Sequence, residues 1–343
     1  MREMKKSSSK WIAAVAALTM LAACQNDEPT VDIEEEQVEP VEDAGEAEAS
    51  LPYTYPLTGV GTEEQLDRRV VGVTINNHPA ARPQSGLVSA DVVYEVLAEG
   101  EVTRFIALYH SQLPERVGPV RSARPYFIDL VNGYNGMLVI HGWSPEAEQL
   151  LNGGAADFLN GLSYDGTLFE RSAERQAPHN SYITFEHILE GFESRNYELD
   201  GPVPSLDFYE NEEIQLAGAD GKAIEINYYD RNMVNYVFDE ELGVYHRFNG
   251  EAQTVDHETD EPVSLANLFV VEAEHRTLDD VGRRAINLTS GGKGILFQSG
   301  IANEVDWENR DGQIIPVRDG VQVPLSPGQT WINIVPTLTS VTY

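Results

Sequence analysis

Gly118-Pro119-Val120-Arg121-Ser122-Ala123-Arg124-Pro125 reads as a turn that hands a strand over to a helix. Upstream, Arg104-Phe105-Ile106-Ala107-Leu108-Tyr109-His110 is apolar and strand-like. Downstream, Tyr126-Phe127-Ile128-Asp129-Leu130-Val131 has the spacing of an amphipathic helix, and Met137-Leu138-Val139-Ile140-His141-Gly142 is a further strand with a polar end. Proline and glycine punctuate the boundaries. Strands and helices therefore alternate around this segment, and two arginines and a serine stand at the junction.

The same alternation extends outward. Val70 to Asn77 is an apolar, β-branched run, and Ala90 to Val96 is a second strand. Glu99-Gly100 turns that strand into the run from Val102 to His110, which predicts a hairpin. Pro145 to Leu151 is a short helix capped by Ser144 with Pro145 in its first position, and Thr184 caps another over Phe185, Ile188, Leu189 and Phe192. Residues 153–181 are polar and glycine-spotted, with turns and no long element. After Gly201-Pro202-Val203-Pro204 the pattern changes to many short, closely spaced strands. These include Ile224 to Tyr228, Val234 to Phe238, Val244 to Phe248, Leu268 to Glu272, Gly294 to Gln298, Gln313 to Val317 and Trp331 to Val335. Asp306 to Gly312 reads as a turn that faintly resembles a calcium loop, but its acid spacing is poor and Arg310 opposes a cation. The expected class is α+β: a mixed α/β N-terminal domain over 51–203, then a smaller, mainly antiparallel β C-terminal domain over 204–343.

The N-terminus has its own logic. Lys5, Lys6 and Lys10 precede a short apolar run from Trp11 to Met20, about half what a bilayer span requires. Leu21-Ala22-Ala23-Cys24 follows, and Cys24 is the sole cysteine in the chain, so no intramolecular disulfide exists. This is a secretion signal over 1–23 ending in small residues before a cysteine. It resembles the lipobox of bacterial lipoproteins, which implies a diacylglycerol on Cys24 and a membrane-anchored body outside the cytoplasm. Residues 25–50 contain eleven Asp or Glu and no Lys or Arg. With Cys24 they form an acidic linker that cannot bury enough apolar surface to offset its ordering entropy.

The chain carries a formal charge of −33, and loss of the signal, with four basic groups and one acid, takes it to −36. Such a charge repels a phosphate backbone and argues against nucleic acid as a partner. Cations, basic proteins or polymers, or a small ligand held locally remain.

Within this acidic chain Arg121 and Arg124 are the candidate binding residues. At a helix start the free backbone amides and the positive dipole end would reinforce two guanidiniums, which suits a carboxylate or a phosphate. The alternative is internal pairing with Glu95, Glu99, Glu101 or Asp129. Ser122 is either a nucleophile, with His141 or His179 as its base, or a simple cap. His78, His110, His141 and His179 lie at strand ends or loops without metal-ligand spacing, so no metal and no cofactor is expected. His179-Asn180 also suits a loop lock. Trp143, after its strand, is the best candidate among Tyr94, Tyr109, Tyr126 and Tyr182 to line a groove over the arginines. The candidate ligand site is therefore Arg121, Arg124, Ser122, His141, Trp143, His179 and Asn180.

Several segments together carry a resemblance. They are the lipobox, the acidic linker, Arg82-Pro83-Gln84-Ser85-Gly86-Leu87, Glu99 to Phe105, Gly118 to Arg124, Pro178-His179-Asn180-Ser181-Tyr182, Tyr245-His246-Arg247, Trp307-Glu308, and Pro327 to Ile332. They resemble the YerB-like lipoproteins of Gram-positive bacteria from about 53 to 338. The resemblance implies paired N- and C-terminal domains of unknown function on a membrane-anchored chain; it carries over architecture and location, not a mechanism. Three readings follow: a binding protein for an anionic ligand, peptide, cell-wall polymer or envelope partner; a wall-directed hydrolase or transferase using Ser122 or a histidine with a carboxylate such as Asp129; and a passive structural lipoprotein.

Overall fold

The computed structural model describes residues 51–210, 217–229 and 232–343. The signal, Cys24 and the acidic linker lie outside the described residues. The first half supplies β1 (Val71–Asn76), β2 (Val92–Glu99), β3 (Val102–Tyr109), α1 (Pro125–Asn132), β4 (Met137–Ile140), α2 (Pro145–Asn152), β5 (Phe158–Asn160), α3 (Gly161–Tyr164), β6 (Phe169–Arg171), β7 (Ser181–Thr184) and α4 (Phe185–Ser194). The second half supplies β8 (Ala223–Tyr229), β9 (Asn232–Asp239), β10 (Val244–Asn249), β11 (Asn267–Glu272), β12 (His275–Thr277), β13 (Arg284–Ile286), β14 (Gly292–Gln298), β15 (Ile301–Arg310), β16 (Gln313–Arg318) and β17 (Thr330–Val335). The described body is mostly strand with few helices.

The main sheet runs β16-β15-β14-β11-β17-β2-β3-β1-β4-β5, with shorter strands added at and beside one end. It crosses both halves of the sequence. β17 pairs parallel with β11 on one side and with β2 on the other, with Thr330 opposite Val92 and Ile334 opposite Val96. β2 and β3 form the expected antiparallel hairpin, Val92 opposite Leu108. The described residues cluster as one compact unit. A second sheet, centred on β10-β9-β8, packs on one face of the first.

The alternation along β2 explains the layering. Val92, Tyr94 and Val96 join the face covered by Tyr126, Phe127, Leu130 and Val131 of α1. Val93 and Leu97 join the opposite face, with Phe185, Ile188 and Phe192 of α4 and Tyr236 and Tyr245 of the second sheet. Period-2 strands and a 3.6-period helix thus bury matching stripes. Glu95 falls on the second of these faces and is fully buried against Arg247 of β10, also fully buried, at 2.9 Å.

Helix boundaries follow their caps. Ser144 accepts from the Ala147 amide at the start of α2, and Thr184 accepts from the His187 amide at the start of α4. One expectation is overturned: Asp306 to Arg310 is not a turn but the end of β15, and only Asp311-Gly312 turns into β16. Val305 and Trp307 face inward while Glu304 and Asp306 face out, a period-2 pattern that the acid density obscured. That turn packs on the end of α1 so tightly that a Cβ on Gly133 would stand 2.4 Å from the Gly312 backbone.

Candidate functional site

The segment from Val120 to Ala123 is threaded across strand ends. The Arg121 amide donates to the Thr74 carbonyl of β1 at 2.9 Å, and the Val120 amide donates to the Ser181 carbonyl of β7 at 2.6 Å. The Arg121 carbonyl accepts from the His141 amide at the end of β4, and the Ala123 amide donates to the Gly142 carbonyl. β1 and β4 run parallel. The segment is thereby fixed where both strands end, and it presents Arg121 and Ser122 into a cleft of about 330 Å³. The cleft also meets His141, Trp143, Leu162 and Arg171, with Val120, Gly142, Ala177 and Pro178 completing the wall.

The arginines separate into two environments. Arg124 is buried as the N-cap of α1 and donates to Glu99 Oε1 at 2.5 Å. Arg104, equally buried, donates to both Glu99 oxygens at 2.6 Å and to the Ser122 carbonyl at 2.8 Å. Burial alone would raise the Glu99 carboxyl, but the Arg104 and Arg124 guanidiniums outweigh it and hold it below its usual range. Burial, with Arg124 beside it, pushes Arg104 down to about 10. Arg124 is therefore spent on an internal pair and lies outside the cleft.

Arg121 is different. Half-buried on the cleft wall, its side chain makes no hydrogen bond or ion pair among the described residues. Burial pulls it below its ordinary value; Glu99 opposes this through space, and Arg124 and Arg171 add to it. A guanidinium that has lost water and gained no carboxylate is poised for an anion.

His141 is held on both ring nitrogens. Arg171 donates to its Nε2 at 2.8 Å, so that nitrogen accepts, and Nδ1–H donates to Ser181 Oγ at 2.6 Å. Burial first, then the Arg171 charge, push its pKa down to about 4. The ring also packs on Gly161, where a Cβ would stand 2.2 Å from Nδ1. Arg171 in turn grips Asp165 at 2.9–3.1 Å and reaches Asn180 Oδ1 at 3.3 Å. Asn180 donates to the Ser172 carbonyl, so it braces the loop and Arg171 without lining the cleft.

Ser122 Oγ donates to the His141 carbonyl at 3.1 Å, not to its ring. His179 Nδ1 contacts Asn76 at 2.8 Å and its ring stacks on His78 at 4.4 Å. Asp129 is exposed on α1 and does not line the cleft. Neither histidine is placed to take a proton from Ser122, and the His141 proton already points at Ser181.

Of the expected residues, the cleft collects Arg121, Ser122, His141 and Trp143. Trp143 packs edge-on to Phe158 at 5.9 Å. The tyrosines do not form the expected groove: Tyr94, Tyr109 and Tyr126 are core residues, and Tyr182 lies under Arg116. Arg171 was missed by sequence reasoning, because nothing in the polar stretch around it marks a partner for His141. A larger cavity of about 850 Å³ lies elsewhere, between residues 51–56, 62–67 and 201–203 and His110. Its walls carry Glu64 and Asp67 and no arginine or lysine, so it does not suit an anion. Among the described residues no group of three or more His, Cys, Asp or Glu is arranged to hold a metal.

Known proteins share this sequence and fold. The profile of the N-terminal domain of a protein of unknown function (DUF3048) matches residues 57–198, and that of its C-terminal domain matches 224–332. "Putative lipoprotein YerB" of Bacillus subtilis (strain 168) is 47% identical over 287 residues, covering 82% of this chain and 86% of that protein. The chain belongs to the YerB-like family. A crystal structure of the YerB protein from Bacillus subtilis superposes with a TM-score of 0.80 at 46% identity, covering 84% of this chain and 99% of that chain. The YerB-like architecture described here is thus shared with an experimentally solved relative.

Proposed function

We propose that this YerB-like chain is a lipoprotein anchored through Cys24, facing outside the cytoplasm, whose body binds an anionic group in the Arg121 cleft. The acidic stretch 25–50 serves as a tether, and the α+β body acts as a mixed N-terminal domain (51–203) followed by a β-rich C-terminal one (204–343). The anchor reading rests on the lipobox and agrees with a relative that carries the name of a lipoprotein.

The observation that carries the binding reading is the half-buried Arg121 guanidinium, open to a 330 Å³ cleft and without a carboxylate, while Arg104 and Arg124 share Glu99 behind it. His141 and Trp143 flank the guest, and His179 and Asn180 brace the loop beside it.

Calorimetric titration of the chain with acetate and with inorganic phosphate tests the reading. Binding is expected for at least one of them, and Arg121→Ala is expected to lower it at least tenfold. Equal binding by the variant would sink the proposal.

A further inference from the structure

The cleft holds more information than the sign of its charge. Its cations can be counted. Arg104 and Arg124 share the one carboxylate of Glu99 behind the cleft wall, and Arg171 is paired with Asp165. His141 is neutral in this arrangement, since its Nε2 accepts from Arg171. Among the described residues lining the cleft this leaves Arg121 as the one cation without a contacting carboxylate, backed by the excess positive charge of the Arg104–Glu99–Arg124 group. A guest's anionic group therefore has one guanidinium to contact directly.

The surroundings limit the guest further. The cations on the neighbouring segments are already engaged, Arg116 with Glu170 and Glu258 and Arg175 with the Ala81 and Pro83 carbonyls, in a chain with a formal charge of −33. The site therefore favours a single anion at the end of a molecule.

Part of the cleft lining is apolar. Val120, Trp143, Leu162, Ala177 and Pro178 face the same space, and Leu162 is 60% exposed. A bare ion would leave that wall wet. An apolar group beside the anion would bury it, at roughly 25 cal/mol per Å². The volume sits at the low end of ligand pockets, which suits one residue-sized group and not a long acyl chain. Ser122 Oγ spends its proton on the His141 carbonyl, so its lone pairs are left to accept an N–H next to Arg121.

A carboxylate, an adjacent N–H and an apolar side chain are the three features of a peptide's last residue. Resting on the anion-binding reading of this cleft, we infer that its guest is the C-terminal residue of a peptide, with a free carboxylate on Arg121 and an apolar side chain against Trp143 and Leu162.

The test titrates the chain with N-acetyl-Gly-Gly-Leu as free acid, the same peptide as C-terminal amide, N-acetyl-Gly-Gly-Gly acid, and a glycerol-phosphate polymer. The Leu acid is expected to bind at least tenfold more tightly than its amide and several-fold more tightly than the Gly acid. Leu162→Ser is expected to erase the difference between the Leu and Gly acids. Leu162 is on the surface, so the variant is expected to fold, and its melting curve checks this. An amide that matches the acid, a Gly acid that matches the Leu acid, or a polymer that binds more tightly than either would overturn the inference. In those cases acetate or phosphate binding that still depends on Arg121 leaves the anion reading standing. If Arg121→Ala changes no titration, that reading fails and the inference goes with it.

Discussion

Replacing Arg247 by methionine is expected to be among the most damaging single changes in this protein. Arg247 and Glu95 are both fully buried, 2.9 Å apart, and they join the second sheet to β2. The Arg247 guanidinium lies between the rings of Phe105 and Trp331, 5.2 and 5.1 Å from their centroids, and donates to Thr254 at 2.7 Å. Glu95 also accepts from Asn77 at 3.1 Å and from Thr103 at 2.8 Å. Methionine keeps an apolar stem between the two rings but leaves a carboxylate in the core with neutral donors only. Breaking a buried pair in this way costs about 3–5 kcal/mol, a large part of a total stability of about 5–15 kcal/mol. Glu95→Gln keeps an acceptor for Asn77 and Thr103 but strands the guanidinium, at a similar cost. The double variant has no buried charge and is expected to lose less than either single one. The coupling energy should then be about 3 kcal/mol or more. Urea unfolding at pH 7, followed by tryptophan fluorescence and far-UV circular dichroism, measures all four proteins. Trp331 reports directly, since its ring touches the guanidinium. A coupling below about 1 kcal/mol, or a double variant that loses the sum of the two singles, would refute the reasoning.

Glu99→Gln should act on stability and site together. It removes the carboxylate shared by Arg104 and Arg124, and since the Glu99 side chain is 28% exposed the cost is about 2 kcal/mol, below that of a fully buried pair. Acetate affinity at Arg121 should rise in the same variant, because a nearby negative charge is gone; an unchanged or weaker affinity contradicts this. His141 makes stability fall with acid. Its folded pKa of about 4 lies below the ordinary value near 6.5, so the unfolded chain takes up a proton that the folded ring refuses. The contribution is complete above pH 6.5 and is lost as the pH falls toward 4, roughly 3 kcal/mol in all. The stability gap between the wild type and His141→Gln should therefore narrow across that window, and a constant gap would show that the histidine is not held neutral. Cys24→Ala should move the protein from the membrane fraction to the soluble extracytoplasmic fraction; retention in the membrane would mean that another element anchors it.

Local pattern carried much of the fold. The β2–β3 hairpin, α1, and the capped helices α2 and α4 were readable because turn residues, caps and hydrophobic periods are properties of short segments. The end of the long strand β15 is not legible because its outward face is acidic, and a dense run of acids has the composition of a loop. The placement of β17 beside β2 was invisible, since nothing near Thr330 to Val335 names a partner more than two hundred residues away. Nor did the sequence show that Gly133 and Gly312 touch, because that contact needs the absence of two side chains far apart in the chain.

The site divides along the same line. Sequence alone determined that positive charge is scarce in an acidic chain and that Arg121, Ser122 and Arg124 stand at a turn between a strand and a helix. It could not distinguish the two arginines, which are three residues apart and chemically identical. Tertiary structure decided between them by bringing Glu99 to Arg124 and leaving Arg121 on the wall of a cleft. It also gave His141 to Arg171 and Ser181, and not to Ser122. The physical reason is that a guanidinium's role is set by which carboxylate the fold brings within about 3 Å, and that distance is fixed by packing across the whole sheet, not by the residues beside it in the chain.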